Sequence, residues 1–264
     1  MSIVTSTEFF VDIEGGSLFI KKWTPETLRQ SSPIVLMHDS LGCVDLWRDF
    51  PEQLASALSC VVIAYDRLGF GRSSVNTHTP GINFVWDEAE LYFSHIKKAA
   101  QLSTYYLFGH SVGGGMSIGI AAIDKECLGV ITESSQAFVE ELTIKGIEEA
   151  QSLFKLPRQM ERLQKWHGDK ASWVLSAWID VWLSAEFTSW SLESRIGKVT
   201  CPVLALHGDK DEYGSNAFPE YIAGKVSGPS TMIILENCGH VPHKEKMEEV
   251  INRTRLFLKG DYTV

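Results

Sequence analysis

The sequence predicts an α/β fold: a mostly parallel sheet, doubly wound by helices, with a helical insertion. Three observations predict it. Six short apolar runs show no polar alternation, longer segments suited to crossover helices separate them, and one stretch between two of the runs breaks the rhythm. A strand buried on both faces loses the in–out alternation of a half-exposed one. Parallel neighbours also need a crossover of a dozen residues or more, usually helical. In chain order, an opening ribbon is expected at Glu8–Ile13 and Ser17–Trp23, turning at Glu14-Gly15-Gly16. The buried strands are expected at Pro33–Met37, Cys60–Tyr65, Tyr105–Phe108, Leu128–Ile131, Pro202–Leu206 and Thr231–Leu235. Segments such as Asp87–Ala100 supply the crossovers.

The stretch 136–199 has helical segments, Thr143–Phe154 and Ala171–Leu183 among them, but no strand signal. It holds five of the eight tryptophans, Trp166, Trp173, Trp178, Trp182 and Trp190. An insertion between strands is where a lid is tolerated and used. The chain therefore divides into a core of residues 1–135 and 200–264 and a helical cap of residues 136–199.

Composition excludes several classes. With 24 Lys+Arg against 33 Asp+Glu the net charge is −9, and no basic cluster reaches five residues, so no nucleic-acid partner is expected. No apolar run is long enough for a membrane span, and Met1–Phe10 lacks the basic and apolar regions of a signal peptide. Cys43, Cys60, Cys127, Cys201 and Cys238 are odd in number, scattered and without C-x-x-C, which fits buried thiols in a reducing cytoplasm rather than disulfides or zinc.

The strongest chemical signal is Gly109-His110-Ser111-Val112-Gly113. It matches G-x-S-x-G, follows an apolar strand and precedes a run of small residues suited to a helix, which is the context a nucleophile turn requires. So tight a turn needs neighbours without Cβ. The helix N-terminus beyond it offers an amide and a positive dipole end to an oxyanion. Other glycine-loop readings fail here: a dinucleotide fingerprint would need glycine at position 118, which is Ile118, and a Walker loop would need a lysine.

A serine nucleophile needs a base and an orienting acid. Gly208-Asp209-Lys210-Asp211 follows one strand, and Gly239-His240-Val241-Pro242-His243 follows the last, giving the order Ser…Asp…His. His243, three residues past His240, resembles half a metal motif; without a third ligand it is expected on the surface or behind the site, and no metal is assigned.

With these residues in view, the chain resembles the α/β-hydrolase superfamily, in its group of small cap-bearing serine hydrolases. The resemblance covers nearly the whole chain. It rests on His38-Asp39-Ser40-Leu41-Gly42, Asp66-Arg67-Leu68-Gly69-Phe70-Gly71-Arg72-Ser73, the Ser111 turn, Gly208–Asp211 and Gly239-His240. It implies Ser111 as nucleophile, His240 as general base and then acid, and Asp211 as the acid that fixes the histidine's tautomer. Glu133 and Asp209 are alternatives for that acid. The oxyanion hole implied is the backbone N–H of Val112 and of Ser40.

One departure is visible: relatives carry His-Gly at the oxyanion loop, where this chain has His38-Asp39. Asp39 either caps its own loop or tunes the site. Leu41, Phe138, Trp178 and Val241 are candidate pocket residues, and Glu140, Glu141, Glu148 and Glu149 are expected on a solvated helix face. The expected substrate is a small ester or related acyl compound, cleaved without cofactor through an acyl-enzyme. Lactonase, C–C hydrolase, aminopeptidase and perhydrolase chemistry use the same triad. A ligand-binding protein that has lost turnover is the reading from another class, and the oligomeric state is left open.

Overall fold

The computed structural model describes residues 3–261, so Met1 and Ser2 of the polar N-terminal stretch lie outside it. Eight strands form one sheet in the order β1-β2-β4-β3-β5-β6-β7-β8. β1 (Val4–Ile13) and β2 (Gly16–Pro25) make the antiparallel ribbon, longer at both ends than its sequence signal. β2 pairs antiparallel with β4 (Val62–Tyr65). From there β3 (Ile34–Met37), β5 (Tyr105–His110), β6 (Cys127–Glu133), β7 (Val203–Gly208) and β8 (Ser230–Leu235) continue in parallel.

The central parallel strands β3 and β7 bury both faces, while the edge strand β8 buries Thr231, Ile233 and Leu235 and leaves its other face partly open. In β3, Ile34 and Leu36 join the layer built with Phe50 and Leu54 of helix Phe50–Leu58 and with Val250 and Phe257 of helix Met247–Leu258. Val35 and Met37 face the opposite layer, with Met116 and Ile120 of helix Val112–Ile123 and Phe218 of helix Ala217–Lys225. The crossover expected over Asp87–Ala100 is helical at 84–99, with a π-turn at Glu88–Tyr92.

Between β6 and β7 run the helices Glu141–Leu153, Pro157–His167, Ala171–Trp182 and Glu193–Ile196. Trp182, Phe187 and Trp190 pack together with ring centroids 5.0–5.7 Å apart, and Trp190 reaches Trp86 on the helix Phe84–Asp87. Polar contacts add to this. His167 accepts the Gly71 N–H on Nδ1 at 2.9 Å and bonds the Leu41 carbonyl through Nε2 at 3.0 Å. Lys170 donates to the carbonyls of Phe70, Gly71 and Ser73.

The chain leaves β3 for β4 on one side and returns to β5 on the other, so the strand order reverses between β3 and β5. In open α/β sheets the crevice at such a reversal, beyond the carboxyl ends, is the ligand position. The loops that flank it here are His38–Gly42 and the Ser111 turn. Close packing at this point depends on Gly113, where a Cβ would overlap the carbonyl oxygens of Met37 and His38. Gly113→Ala is therefore expected to lower the unfolding free energy by about 1–3 kcal/mol through overpacking against rigid backbone. Urea unfolding measures it, and an unchanged midpoint would contradict the packing argument.

Candidate active site

Ser111 ends the β5 turn with φ 56° and ψ −128°, a conformation outside the helical and strand regions. Its N–H donates to the Glu133 carbonyl at 2.8 Å, which fixes the turn to the end of β6. The flanking Gly109 is tightly enclosed: a Cβ there would overlap the Gly113 carbonyl. The turn lifts the serine above the carboxyl edge, and its Oγ lies 3.1 Å from His240 Nε2.

His240 comes from the loop after β8. Its Nδ1–H donates to both Asp211 oxygens, at 2.8 and 2.9 Å, and the Asp211 side chain is fully buried. Asp211 also accepts the Tyr213 N–H at 2.8 Å, so its carboxylate cannot rotate away. The pair moves both ionisations. Burial works against charge on His240, but the Asp211 carboxylate outweighs it, and the imidazole lies above its ordinary 6.5. Burial likewise raises Asp211, yet bonding to His240 carries it net downward.

The other candidates for the acid fall elsewhere. Asp209 is exposed and accepts the Cys238 N–H at 3.1 Å. Glu133 is fully buried, but its Oε2 pairs with His243 Nδ1 at 2.6 Å rather than with His240. His243 is accordingly not a surface residue: at 2% exposure it lies under Trp47, 4.6 Å between ring centroids. Behind His240, the His110 Nε2–H donates to the His240 carbonyl at 2.8 Å. The His240 loop is thus held at two points, both reaching the residues that carry the Ser111 turn.

His110, Glu133 and His243 place ligand-type atoms within 4.8 Å of one another. The 2.6 Å Glu133–His243 contact is a hydrogen bond, shorter than the roughly 3.3 Å between two ligands at tetrahedral zinc distances. Burial sets the protonation of the cluster. It raises the Glu133 carboxyl to about 7 and lowers His110 to about 4 and His243 to about 3.

Val112 opens the helix after the serine, and Ser40 follows His38 and Asp39 across the crevice. The loop His38–Gly42 is pinned by His38, whose Nδ1–H donates to the Asp39 carbonyl at 2.8 Å and whose Nε2 accepts the Arg67 N–H at 3.1 Å. The Asp39 carboxylate is folded against Gly42, where it would meet any added Cβ.

Of the four residues expected to line a pocket, Trp178 does so, beside Ser40, in a cavity of about 160 Å³ under helix Ala171–Trp182. Phe138 is turned instead onto Phe218 and Tyr221, with centroids 5.0 and 5.4 Å away. Leu41 packs against a cluster around Phe70 and Leu163, whereas Val241 lines a second, smaller cavity of about 40 Å³ with His38, Asp39, His110 and His243. Glu140 is half-buried and accepts the Ser215 N–H and hydroxyl at 2.7 and 2.8 Å. Glu141, Glu148 and Glu149 are exposed.

Sequence reading did not find Gln136, whose side-chain oxygen lies 3.3 Å from Ser111 Oγ, nor Tyr213, whose ring stands 4.9 Å from that of His240. Neither carries a motif. Both follow strands closely enough that a search of post-strand polar residues would reach them. Among the described residues no helix is long and apolar enough to cross a membrane, and the five cysteines are free thiols.

Residues 34–253 match the model of the alpha/beta hydrolase family. The chain is 22% identical over 272 residues to a proline iminopeptidase of Lactobacillus crispatus (strain ST1), covering 87% of this chain and 90% of that protein. In fold it is similar to an enol-lactonase of Burkholderia xenovorans LB400, with TM-score 0.72 at 17% identity over 95% of this chain and all of the other. A carboxylesterase of Bacillus subtilis superposes with TM-score 0.70 at 19% identity, covering 97% and 92% of the two chains.

The buried cluster carries a pH prediction. On unfolding, His110 and His243 take up protons near 6.5 that the folded rings resist, while Glu133 releases one held to about 7 in place of 4.5. Two histidines against one carboxyl leave the unfolded chain with more protons below pH 6.5, so stability falls as pH is lowered. The expected slope between pH 6.5 and 5 is about 1 kcal/mol per unit. Urea titrations should find it, and His243→Phe, which leaves one such histidine against the one carboxyl, should take away about 1 kcal/mol per unit of that slope; a slope unchanged in this variant would overturn the assignment.

Proposed function

The chain belongs to the alpha/beta hydrolase family, and from that premise we propose that it is a serine hydrolase. Its substrate would be a small carboxylic ester or related acyl compound, cleaved through an acyl-enzyme without a cofactor. The observation that carries the reading is the continuous line Ser111 Oγ–His240 Nε2–His240 Nδ1–Asp211, at 3.1 and 2.8 Å, on a backbone turn that a passive serine would not require.

In this mechanism His240 takes the Ser111 proton as Oγ attacks the acyl carbon. The carbonyl electron pair moves to oxygen, where the amides of Val112 and Ser40 receive it. One such donor contributes about 2.7–4 kcal/mol to lowering the barrier. Collapse expels the alcohol, which leaves with the proton from His240. Water then repeats the sequence, giving its proton to His240 and its oxygen to the acyl group, and Ser111 is restored. Asp211 keeps the Nδ1–H tautomer and stabilises the imidazolium. Helices between β6 and β7 act as a cap over the crevice. Of the four acidic side chains at the start of the insertion, Glu141, Glu148 and Glu149 are turned to solvent and Glu140 is engaged with Ser215, so none of these offers a seat for a peptide amine terminus.

Hydrolysis of p-nitrophenyl esters from acetate to dodecanoate tests the reading directly. Wild type is expected to turn over the short members, and Ser111→Ala to lose more than about 10³-fold in kcat. Equal activity in both proteins would remove Ser111 from the chemistry. The base must be neutral to act, so kcat/KM should rise with pH through a midpoint above 6.5, the direction in which Asp211 shifts His240. A profile flat from pH 5 to 9 would exclude His240 as the base.

A further inference from the structure

The cavity beside Ser40 has charged walls that the reaction does not use. Its lining includes Arg67, Glu88, Phe70, Trp173, Trp178 and Trp182. Arg67 and Glu88 are almost fully buried, 6% and 4% exposed. Arg67 gives one guanidinium nitrogen to the Asp39 carbonyl at 2.7 Å and stands over the Phe70 ring, 4.1 Å from its centroid, while its Nε has no partner. Glu88 accepts the Tyr65 hydroxyl on Oε1 at 2.6 Å, and its Oε2 receives no hydrogen bond among the described residues. Glu88 opens the π-turn Glu88–Tyr92, the kind of helix irregularity that swings a residue out of register and recurs at functional sites.

A buried charge ordinarily has its hydrogen-bonding capacity filled, by a direct partner or a network. Here a cation and an anion line one cavity without an ion pair between them among the described residues, and each keeps capacity to spare. A carboxylate entering the cavity would satisfy Arg67 but oppose Glu88; an ammonium would do the reverse. A neutral group with an acceptor and a donor on adjacent atoms meets both. We infer that the cavity is a subsite for a carboxamide carried on an aromatic or apolar body, its oxygen accepting from Arg67 and its N–H donating to Glu88. The three tryptophans and Phe70 supply flat walls for that body. The inference rests on the hydrolase reading only in treating the carboxamide as part of the substrate. Ser40 is in the wall, while Ser111 and His240 are not among the lining residues, so the bound group would sit on the Ser40 side of the site.

Calorimetric titration of Ser111→Ala with phenylacetamide, phenylacetate and phenethylamine tests the subsite without turnover. The amide is expected to bind about tenfold or more tighter than either charged compound, the scale of one charge-assisted hydrogen bond in a buried site. Glu88→Gln keeps an acceptor for Tyr65 and removes the negative charge, so in that background phenylacetate should gain about tenfold relative to the amide. Equal binding of the three, no binding of the amide at millimolar concentration, or an unchanged ranking in Glu88→Gln would each overturn the subsite. Fluorophosphonate labelling of wild type separates the two claims. Amide preference without labelling would retain the subsite and remove the hydrolase, and labelling without amide preference would do the opposite.

Discussion

The Ser111 backbone is held at φ 56° by what surrounds it: the Glu133 carbonyl takes its N–H, and Gly109 and Gly113 let the strand, the helix and the β3 carbonyls approach without side chains between them. Such a conformation costs about 1–3 kcal/mol and persists only when its neighbours over-determine it. Relaxing the turn would drop the hydroxyl back into the sheet edge and separate it from His240. Other features of the site can be read as conditions for keeping this residue strained.

Glu133 links several of those conditions. Its main chain restrains the serine, and its side chain holds His243, three residues beyond His240. His110, adjacent to the serine, closes the same circuit by bonding the His240 carbonyl. The imidazole therefore reaches Ser111 from a loop fastened to the two strands that set the serine's position. A bonded carboxyl in place of an apolar residue is not the most stable filling for a buried space, since desolvation offsets most of what the pairing contributes. It does give direction, which an apolar contact would not, and the role of base proposed for His240 needs direction to within a few tenths of an ångström.

The strands and the serine turn were legible because their signals are local. An uninterrupted apolar run such as Val203–Leu206 can be buried on both faces only inside a layered sheet, and G-x-S-x-G states its own steric requirement. Ser111, Asp211 and His240 each follow a strand, and parallel strands bring their carboxyl ends together whatever lies between them in sequence. The Glu133–His243 pair was not legible. It spans 110 residues, and neither partner has a neighbour that announces burial. The same holds for Gln136, and for Phe138, whose apolar ring finds Phe218 as readily as it would a pocket.

Asp66-x-x-Gly-x-Gly-x-Ser, read from sequence only as a family trait, has a physical role that joins the sheet to the helical insertion. Asp66 accepts the N–H groups of Val44 and Arg72, both at 2.6 Å, and Ser73 donates to the Asp66 carbonyl while accepting the Phe19 N–H. That closed loop leaves the carbonyls of Phe70, Gly71 and Ser73 pointing outward, where Lys170 gathers them, and leaves the Gly71 N–H for His167. The insertion is thereby registered against the loop that also presents Arg67, and Arg67 in turn holds the Asp39 carbonyl ahead of Ser40. One short glycine-rich loop thus links the helices of the insertion to the Asp39–Ser40 backbone. The cavity lies between them, so its size is fixed by polar contacts to main-chain atoms more than by the tryptophans that wall it. Substitution of the less buried Trp173 or Trp178 would change what the cavity accepts before it changed where the insertion sits, whereas Trp182 belongs to the core that seats it.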